Sequence, residues 1–338
     1  MKKAVILGER KGVVVEAPDP KPKEDFVVVK VHAAPMCAEY KWFAKGNKAE
    51  FIGHEAAGEV VEIAQPGRVK VGDRVVVMPQ YPCGVCRLCV AGDYVHCQHN
   101  HNLMNYLGTR EGSATMAQFL VKQSWLLPKI PEGVSYERAS LACCGLGPSF
   151  GACERMNLGP FDTVLITGLG AVGLGAVVNA RFRGARIIGV ESHPWRCERA
   201  RKMGVETVID PREEKALDRI MDLTGGLGVD KAVDCSGVVP AHRLCIDAAR
   251  RGGQVAFVGE CNDETPLKIS PDMIRKGLTL HGVWHYNLAL FPKIMKVIQE
   301  SPLLDDLISH VFPLSKVQEA WELQVSGNCA KVILKPWE

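Results

Sequence analysis

Cysteine is where this sequence first offers chemistry. Cys83, Cys86, Cys89 and Cys97 fall within fifteen residues as a C-x2-C-x2-C-x7-C run. Four thiolates so close in sequence can close a tetrahedron around Zn²⁺ and leave no position for water, which is the pattern of a structural site. An iron–sulfur cluster is the rival. The bacterial ferredoxin run, however, has three residues before its last Cys and Pro after it, where this chain has seven and Gln98. His96, His99 and His101 crowd the same segment and are expected to be loop residues, not ligands.

The second chemical signal is glycine. Gly168-Leu-Gly170-Ala171-Val172-Gly173 follows the apolar run Val164–Thr167 and opens a helical stretch, the setting of a dinucleotide fingerprint. Gly168 makes the tight turn, Gly170 lets a pyrophosphate approach the backbone, and Gly173 lets helix and strand pack closely. The anion would sit at the helix N-terminus, around Ala171 and Val172, where unpaired N–H groups and the dipole favour negative charge. Glu191 ends the next predicted strand, where an acid accepts hydrogen bonds from both ribose hydroxyls and repels a 2′-phosphate. NAD is therefore expected over NADP. Arg196 and Arg199 follow closely and are the groups that a 2′-phosphate would use. Arg196 joins the cofactor-binding candidates, with Ser236 and Val258 near the ends of later strands.

These residues need a scaffold, and 338 residues suggest about two domains at ~150 residues each. Up to about residue 150 the chain shows short β-branched runs, Phe26–Val31, Gly58–Ile63 and Arg74–Met78, bounded by Pro, Gly and Asp. Without long helices between them, they predict an antiparallel, barrel-like unit. From about 160 the apolar runs Val164–Thr167, Arg186–Val190, Thr207–Asp210, Lys231–Cys235 and Gln254–Val258 alternate with helical patterns at Trp195–Met203, Glu213–Leu223 and Pro240–Ala249. That alternation predicts a doubly wound parallel sheet, a Rossmann unit. An amphipathic helix near Leu290–Glu300 and a strand at Lys331–Lys335 close the chain. The fold class is thus α/β, with 1–147 and 284–338 as the β-rich domain and 148–283 as the dinucleotide-binding domain.

Composition excludes several functions. The net charge of +3 and the absence of any run of five basic residues argue against a nucleic-acid partner. Thr163–Ala180 carries no charge, but its four glycines and Asn179 mark a strand, a turn and a helix start instead of a membrane span. The apolar stretch after Met1 is too short for a signal peptide, so a cytoplasmic protein is expected, with no membrane partner. The thirteen cysteines then imply thiols and metal ligands, not a disulfide framework.

Three further residues acquire meaning only in company. Alone, Cys37 and Cys144 have the character of small buried hydrophobes, and His54 that of a core histidine. Together with the four-Cys run and the glycine fingerprint, the chain resembles the zinc-dependent medium-chain alcohol dehydrogenase family, which includes alcohol, sorbitol and threonine dehydrogenases. The resemblance spans essentially the full length. It rests on Gly53-His54-Glu55-x-x-Gly58, Val71-x-Asp73-Arg74-Val75, the Cys run, the glycine fingerprint and Leu280-His-Gly-Val-Trp284. It implies a GroES-like catalytic domain beside the Rossmann domain, and two Zn²⁺ per chain. The catalytic zinc would be held by Cys37, His54 and Cys144, with Glu55 behind them or as an occasional fourth ligand. Cys144 is preferred to Cys143 because Cys144-Gly-Leu-Gly-Pro-Ser-Phe-Gly151 aligns better with the family's glycine-rich segment, Ser149 replacing one glycine. Two thiolates and a neutral imidazole neutralise Zn²⁺ and leave one position open, as a catalytic site requires. An alcohol loses its proton more easily there and then gives hydride to the nicotinamide.

One departure stands out. The family usually has Cys-Gly-[Ser/Thr]-Asp at the first ligand, and the hydroxyl starts a proton relay. This chain has Cys37-Ala38-Glu39-Tyr40, with Trp42 where a relay His would follow. Glu39 is therefore expected either to take the substrate proton as a general base or to bond a substrate hydroxyl. Glu39, Tyr40, Trp42, Trp284 and His285, if they face the cleft, suit a hydroxylated substrate. The expected function is an NAD- and zinc-dependent dehydrogenase of a secondary alcohol, of the polyol, sugar or cyclitol class. A threonine-like amino alcohol, with Glu39 binding the amine, is the close alternative. A non-catalytic, NAD-binding structural or regulatory protein is the alternative of a different class. Expected partners are the small-molecule substrate and further copies of the chain, as a homodimer or homotetramer.

Overall fold

The computed structural model describes residues 1–338, which divide into two compact units. The first contains Met1–Gly145, Asn287–Glu300 and Ile308–Glu338. Its hub is the strand Phe26–Pro35, a valine-rich run in which almost every side chain is buried. Buried on both faces, such a strand must be covered by neighbours, and three pair with it antiparallel: Ala56–Glu62, Phe119–Gln123 and Lys331–Lys335. Arg74–Val77 extends the sheet beyond Ala56–Glu62, and the hairpin Lys2–Gly8/Lys11–Glu16 forms a separate two-stranded layer.

The antiparallel pattern expected from the sequence has one exception. Ile308–Pro313 runs parallel to Lys331–Lys335. A parallel neighbour needs a crossover, and the helix Val317–Ser326 between the two strands supplies it. That helix also completes the core: its Trp321 is fully buried and stacks on Phe43 at 5.4 Å. The Trp321 ring lies 2.2 Å from where a Cβ on Gly12 would stand, so the hairpin can cross the indole only with glycine at that position.

The second unit is Leu146–Tyr286 with Ser301–Leu307. Six parallel strands lie in the order Thr279–Gly282, Ala249–Phe257, Val229–Asp234, Thr163–Thr167, Arg186–Val190, Thr207–Ile209. The chain starts in the middle, winds outward to Thr207–Ile209, then crosses back to the other side, leaving a switch point beside Thr163–Thr167. The segment Thr163–Ala180 is the central strand, a turn and most of the helix Ala171–Phe182. No helix of the chain is long and apolar enough to cross a membrane. Two stretches join this unit for visible reasons. Leu146 precedes the helix Gly147–Met156, and its carbonyl accepts from Asn179 Nδ2. Asp306 pairs with Arg199 and Lys202.

Candidate active site

The four-Cys run folds as a surface lobe of the first unit, around the short helix Arg87–Val90. Its sulfur atoms approach one another closely: Cys86 to Cys89 at 3.5 Å, Cys97 to Cys83 at 3.6 Å, Cys86 to Cys97 at 3.9 Å and Cys83 to Cys89 at 4.0 Å. Tetrahedral zinc with Zn–S bonds of ~2.3 Å requires sulfur–sulfur edges of about 3.8 Å, so the four thiols already have the dimensions of such a site. Backbone N–H groups turn toward the sulfurs, those of Cys86 and His99 onto Cys83 and Cys97. The Cys83 thiol is brought down to about 6, chiefly by the backbone N–H of Val85. His96 and His99 are exposed, and His101 packs edge-on against Phe26; none of their rings joins the sulfur cluster.

The dispersed residues also converge. Cys37, His54, Glu55 and Cys144 place one ligand atom each within 4.8 Å of one another, all in the first unit. Each comes from a different local device. Cys37 follows the hub strand and precedes the helix Tyr40–Lys45. His54 follows Gly53, whose φ of +89° and contact with Thr115 Oγ1, 2.4 Å from an ideal Cβ, turn the chain where another residue would clash. Cys144 lies just before the second unit. His54 Nε2 is 3.2 Å from Cys144 Sγ, whereas the neighbouring Cys143 thiol points to Val77 O.

Two carboxylates brace this cluster, and they do so in parallel ways. Glu39 Oε2 accepts the backbone N–H of Cys37 at 2.9 Å, and Glu39 Oε1 accepts from His54 Nδ1 at 2.8 Å. The second bond aims Nε2 at the sulfurs, and against the opposing effect of burial Cys37 and Glu39 raise the imidazole well above its usual pKa. A bound metal would take the Nε2 lone pair and leave the proton on Nδ1. Glu55 Oε2 accepts the backbone N–H of Cys144 at 3.0 Å, and Glu55 Oε1 pairs with Lys331 Nζ at 2.6 Å. Each carboxylate thus ties down the backbone of one cysteine and orients one further group.

The electrostatics follow from this bracing. Hydrogen bonding with Cys144, and the charges of Lys331 and His54, hold the Cys37 thiol well below the usual range against the opposing effect of burial. Burial pushes Glu55 up to about 7, with the Lys331 ammonium pulling the other way. Burial likewise opposes the Lys331 charge, but Glu55, Cys37 and Cys144 together outweigh it and keep the lysine protonated. Soft thiolates and an imidazole with Nε2 turned inward are the donor set of a zinc site.

Against the expectation that Glu39 takes the substrate proton, the structure gives it partners inside the cluster. Both of its oxygens are engaged within the cluster, and its side chain is buried. It stands two residues past the cysteine, where a longer side chain reaches back to the imidazole. The aromatic candidates also separate. Tyr40 packs against the core of the first unit and Trp42 is half exposed on the same helix; His285, in the second unit, is buried and stacks on Tyr286 at 4.6 Å.

In the second unit the glycine turn has the form that an anion needs. Gly168 has φ of +76°, and a Cβ on Gly173 would lie 1.8 Å from Gly168 O, so helix and turn touch with no room for a side chain. Beyond a Cβ on Gly170 the nearest atom is Arg196 Nη1 at 3.7 Å, and Gly170 caps the helix Ala171–Phe182 without a side-chain bond. The N–H groups of Ala171 and Val172 therefore have no capping side chain from Gly170. Glu191 is buried at the end of its strand, where it accepts from the N–H groups of Leu169, Ser192 and His193 at 2.8–2.9 Å. A carboxylate offers about four acceptor positions, so about one remains for a ribose hydroxyl. Arg196 stands 3.8 Å from Glu191. Ser236 lies against Gly168, and the Val258 N–H donates to Asp234 O.

Two site-forming groups escape a sequence-based search. Lys331 opens an ordinary-looking closing strand, and its only sequence signal is a lysine beside Val332-Ile-Leu334. Asp234 is fully buried and accepts from Thr167 Oγ1, Ser236 Oγ and the Gly237 N–H, tying the end of the central strand to the loop after its own strand.

Known proteins resemble this chain in sequence and fold. Residues 23–132 match the family model of the alcohol dehydrogenase GroES-like domain, and residues 171–300 that of the zinc-binding dehydrogenases. A sorbitol dehydrogenase of Bacillus subtilis is 32% identical, with 99% of this chain and 97% of that enzyme covered. An L-threonine 3-dehydrogenase of Pyrococcus horikoshii is 32% identical over 95% of this chain and 94% of its own. Among solved structures, the alcohol dehydrogenase TADH from Thermus sp. ATN1 superposes with a TM-score of 0.89 at 25% identity, over 99% of both chains. With similarity running unbroken through both units, the chain belongs to the zinc-dependent medium-chain alcohol dehydrogenase family.

Proposed function

We propose that this protein is an NAD-dependent dehydrogenase that interconverts a secondary alcohol of the polyol, sugar or cyclitol class and its ketone, with two Zn²⁺ per chain. The observation that carries the proposal is the convergence of the half-buried Cys37, His54 and Cys144, with Glu39 on His54 Nδ1. When bound, zinc and NAD supply Lewis-acid activation of the alcohol and an acceptor for its hydride. The chain's own residues do the rest. The Cys37 and Cys144 thiolates and His54 Nε2 would hold the metal, three ligands of a set whose fourth would be the substrate oxygen. Glu39 keeps the imidazole turned inward, and Glu55 fixes the backbone of Cys144. The Gly168–Gly173 turn takes the pyrophosphate, with Ala171, Val172 and Arg196 beside it. The Glu191 charge disfavours a 2′-phosphate, which supports NAD over NADP. Ser236 and Val258 complete the cofactor side.

A polyol is favoured over a threonine-like amino alcohol by a specific contact. An amine needs a carboxylate partner, and Glu39 is already occupied by His54 and the Cys37 N–H. The sorbitol dehydrogenase relative supports the same choice, and the threonine dehydrogenase relatives keep the amino alcohol as the second reading. We place the enzyme in the cytoplasm as a homodimer or homotetramer, where its thiols remain reduced. Metal analysis with an NAD-coupled screen of polyols, cyclitols and amino alcohols tests the proposal. Two zinc per chain and turnover of a polyol are expected. One zinc per chain without turnover would identify a non-catalytic NAD-binding protein.

A further inference from the structure

We propose that Lys331 keeps the fourth coordination position of the Cys37–His54–Cys144 site open by holding Glu55 away from it. The inference rests on the reading that this cluster carries a zinc.

Of the two carboxylates at the cluster, only Glu55 is able to compete for a metal. Glu39 has one oxygen on the imidazole and the other on the Cys37 N–H, so it cannot turn inward without releasing His54. Glu55 is anchored by one oxygen alone, Oε2, on the Cys144 N–H. Rotation about that anchor swings Oε1 between two partners. One is Lys331 Nζ at 2.6 Å; the other is the ligand cluster, whose His54 Nε2 lies only 3.9 Å from the same oxygen. Glu55 and Lys331 are both 0% exposed, so no water can replace the ammonium if it is removed.

Charge balance points the same way. Two thiolates neutralise Zn²⁺, and Lys331 neutralises Glu55. Without Lys331 an ionised Glu55 has only the metal left within reach to answer its charge, because an unpaired charge in a dry interior is strongly disfavoured. Lys331 reaches this place through topology. It opens the strand Lys331–Lys335, which lies between Ile308–Pro313 and the hub strand that leads to Cys37. Lys331 is therefore a positioning residue: it acts on the open position through Glu55.

The test uses the enzyme with cobalt(II) in place of zinc and azide as the probe of the open position, followed by visible absorption. Wild type should take up cobalt at the second site, and azide should shift its spectrum. Lys331→Met should retain that cobalt while its azide affinity falls by about tenfold or more, the scale of effects from residues behind the ligands. Adding Glu55→Gln to Lys331→Met should restore azide binding. If the Met variant does not fold, Lys331→Gln, which retains a donor toward Glu55 but not the charge, should show the same loss in smaller measure. Wild-type azide affinity in the cobalt-loaded Met or Gln variant would overturn the role of Lys331 and leave the proposed function standing. So would a double variant that stays closed to azide. Failure of wild type to take up the second cobalt would overturn both.

Discussion

The two cysteine clusters are built in opposite ways. In the lobe, four ligands lie within one loop, and the surrounding N–H groups belong to the same loop. At the Cys37 cluster, three ligands come from positions 37, 54 and 144, and the charge that completes the environment comes from position 331. A closed set of four thiols needs only local chain geometry. An open set of three has to be held apart from its nearby carboxylates, which takes residues from several elements. In the proposed function the same metal chemistry would serve stability in one place and reaction in the other.

The largest test of that contrast is His54→Ala. It should remove one zinc per chain and lower kcat by ~10³-fold or more, since the Lewis acid supplies several kcal/mol of transition-state stabilisation. NAD binding and the lobe zinc should be unaffected; a variant that retains both zincs and turnover would break the comparison. Cys89→Ser strikes the other cluster. Zinc per chain should drop from two to one and Tm should fall, while NAD affinity measured by fluorescence titration stays within about twofold. Here stability is the readout, because metal binding to a local loop is folding free energy for that loop.

Glu39→Gln sharpens the contrast further. Loss of the charged acceptor on His54 should weaken metal retention at the Cys37 cluster by about 10–100-fold in a chelator competition, and leave the lobe zinc in place. Unchanged zinc affinity with a large loss of kcat would return Glu39 to the substrate's proton.

Two buried lysines offer a smaller test of what a partner does. Lys331 has Glu55, whereas Lys122 donates to Gln80 O and lies 4.0 Å from the Tyr81 ring centroid. Burial pushes Lys122 down to about 7. Between that value and the unfolded lysine pKa of about 10.4, the unfolded chain binds more protons, so stability should rise with pH over this window. Lys122→Met should flatten the slope in denaturant titrations at pH 7 and pH 9. An unchanged slope would show that another group is responsible. The smallest effect is expected at Glu191. Glu191→Ala should reduce the NAD-to-NADP preference in kcat/KM by about tenfold, one charge-assisted hydrogen bond being worth ~1.5–3 kcal/mol. A wild-type preference for NADP would instead give Arg196 the phosphate.

The comparison also separates what was legible in the residues from what was not. The lobe, the glycine turn and the alternation of strands and helices after residue 160 were all legible, because their partners lie within a few residues of one another or repeat with the period of the element. The parallel pair Ile308–Pro313/Lys331–Lys335 was not, since nothing in a short apolar run gives the direction of its neighbour. Glu39 was singled out for its place beside Cys37, but its partners were not legible. The sequence shows that a carboxylate follows the cysteine by two residues, but not that His54 Nδ1 waits 2.8 Å from it.

By itself, then, the sequence determined the local chemistry: four thiols spaced for a closed tetrahedron, and glycines where a turn and a helix must touch. Tertiary structure alone decided what Glu39 orients, and that Lys331, 276 positions from Glu55, meets it in the interior. The reason is physical. Local motifs are written by the short reach of the backbone, whereas a buried charge finds its partner only when sheet register and burial have removed the water that would otherwise have served it.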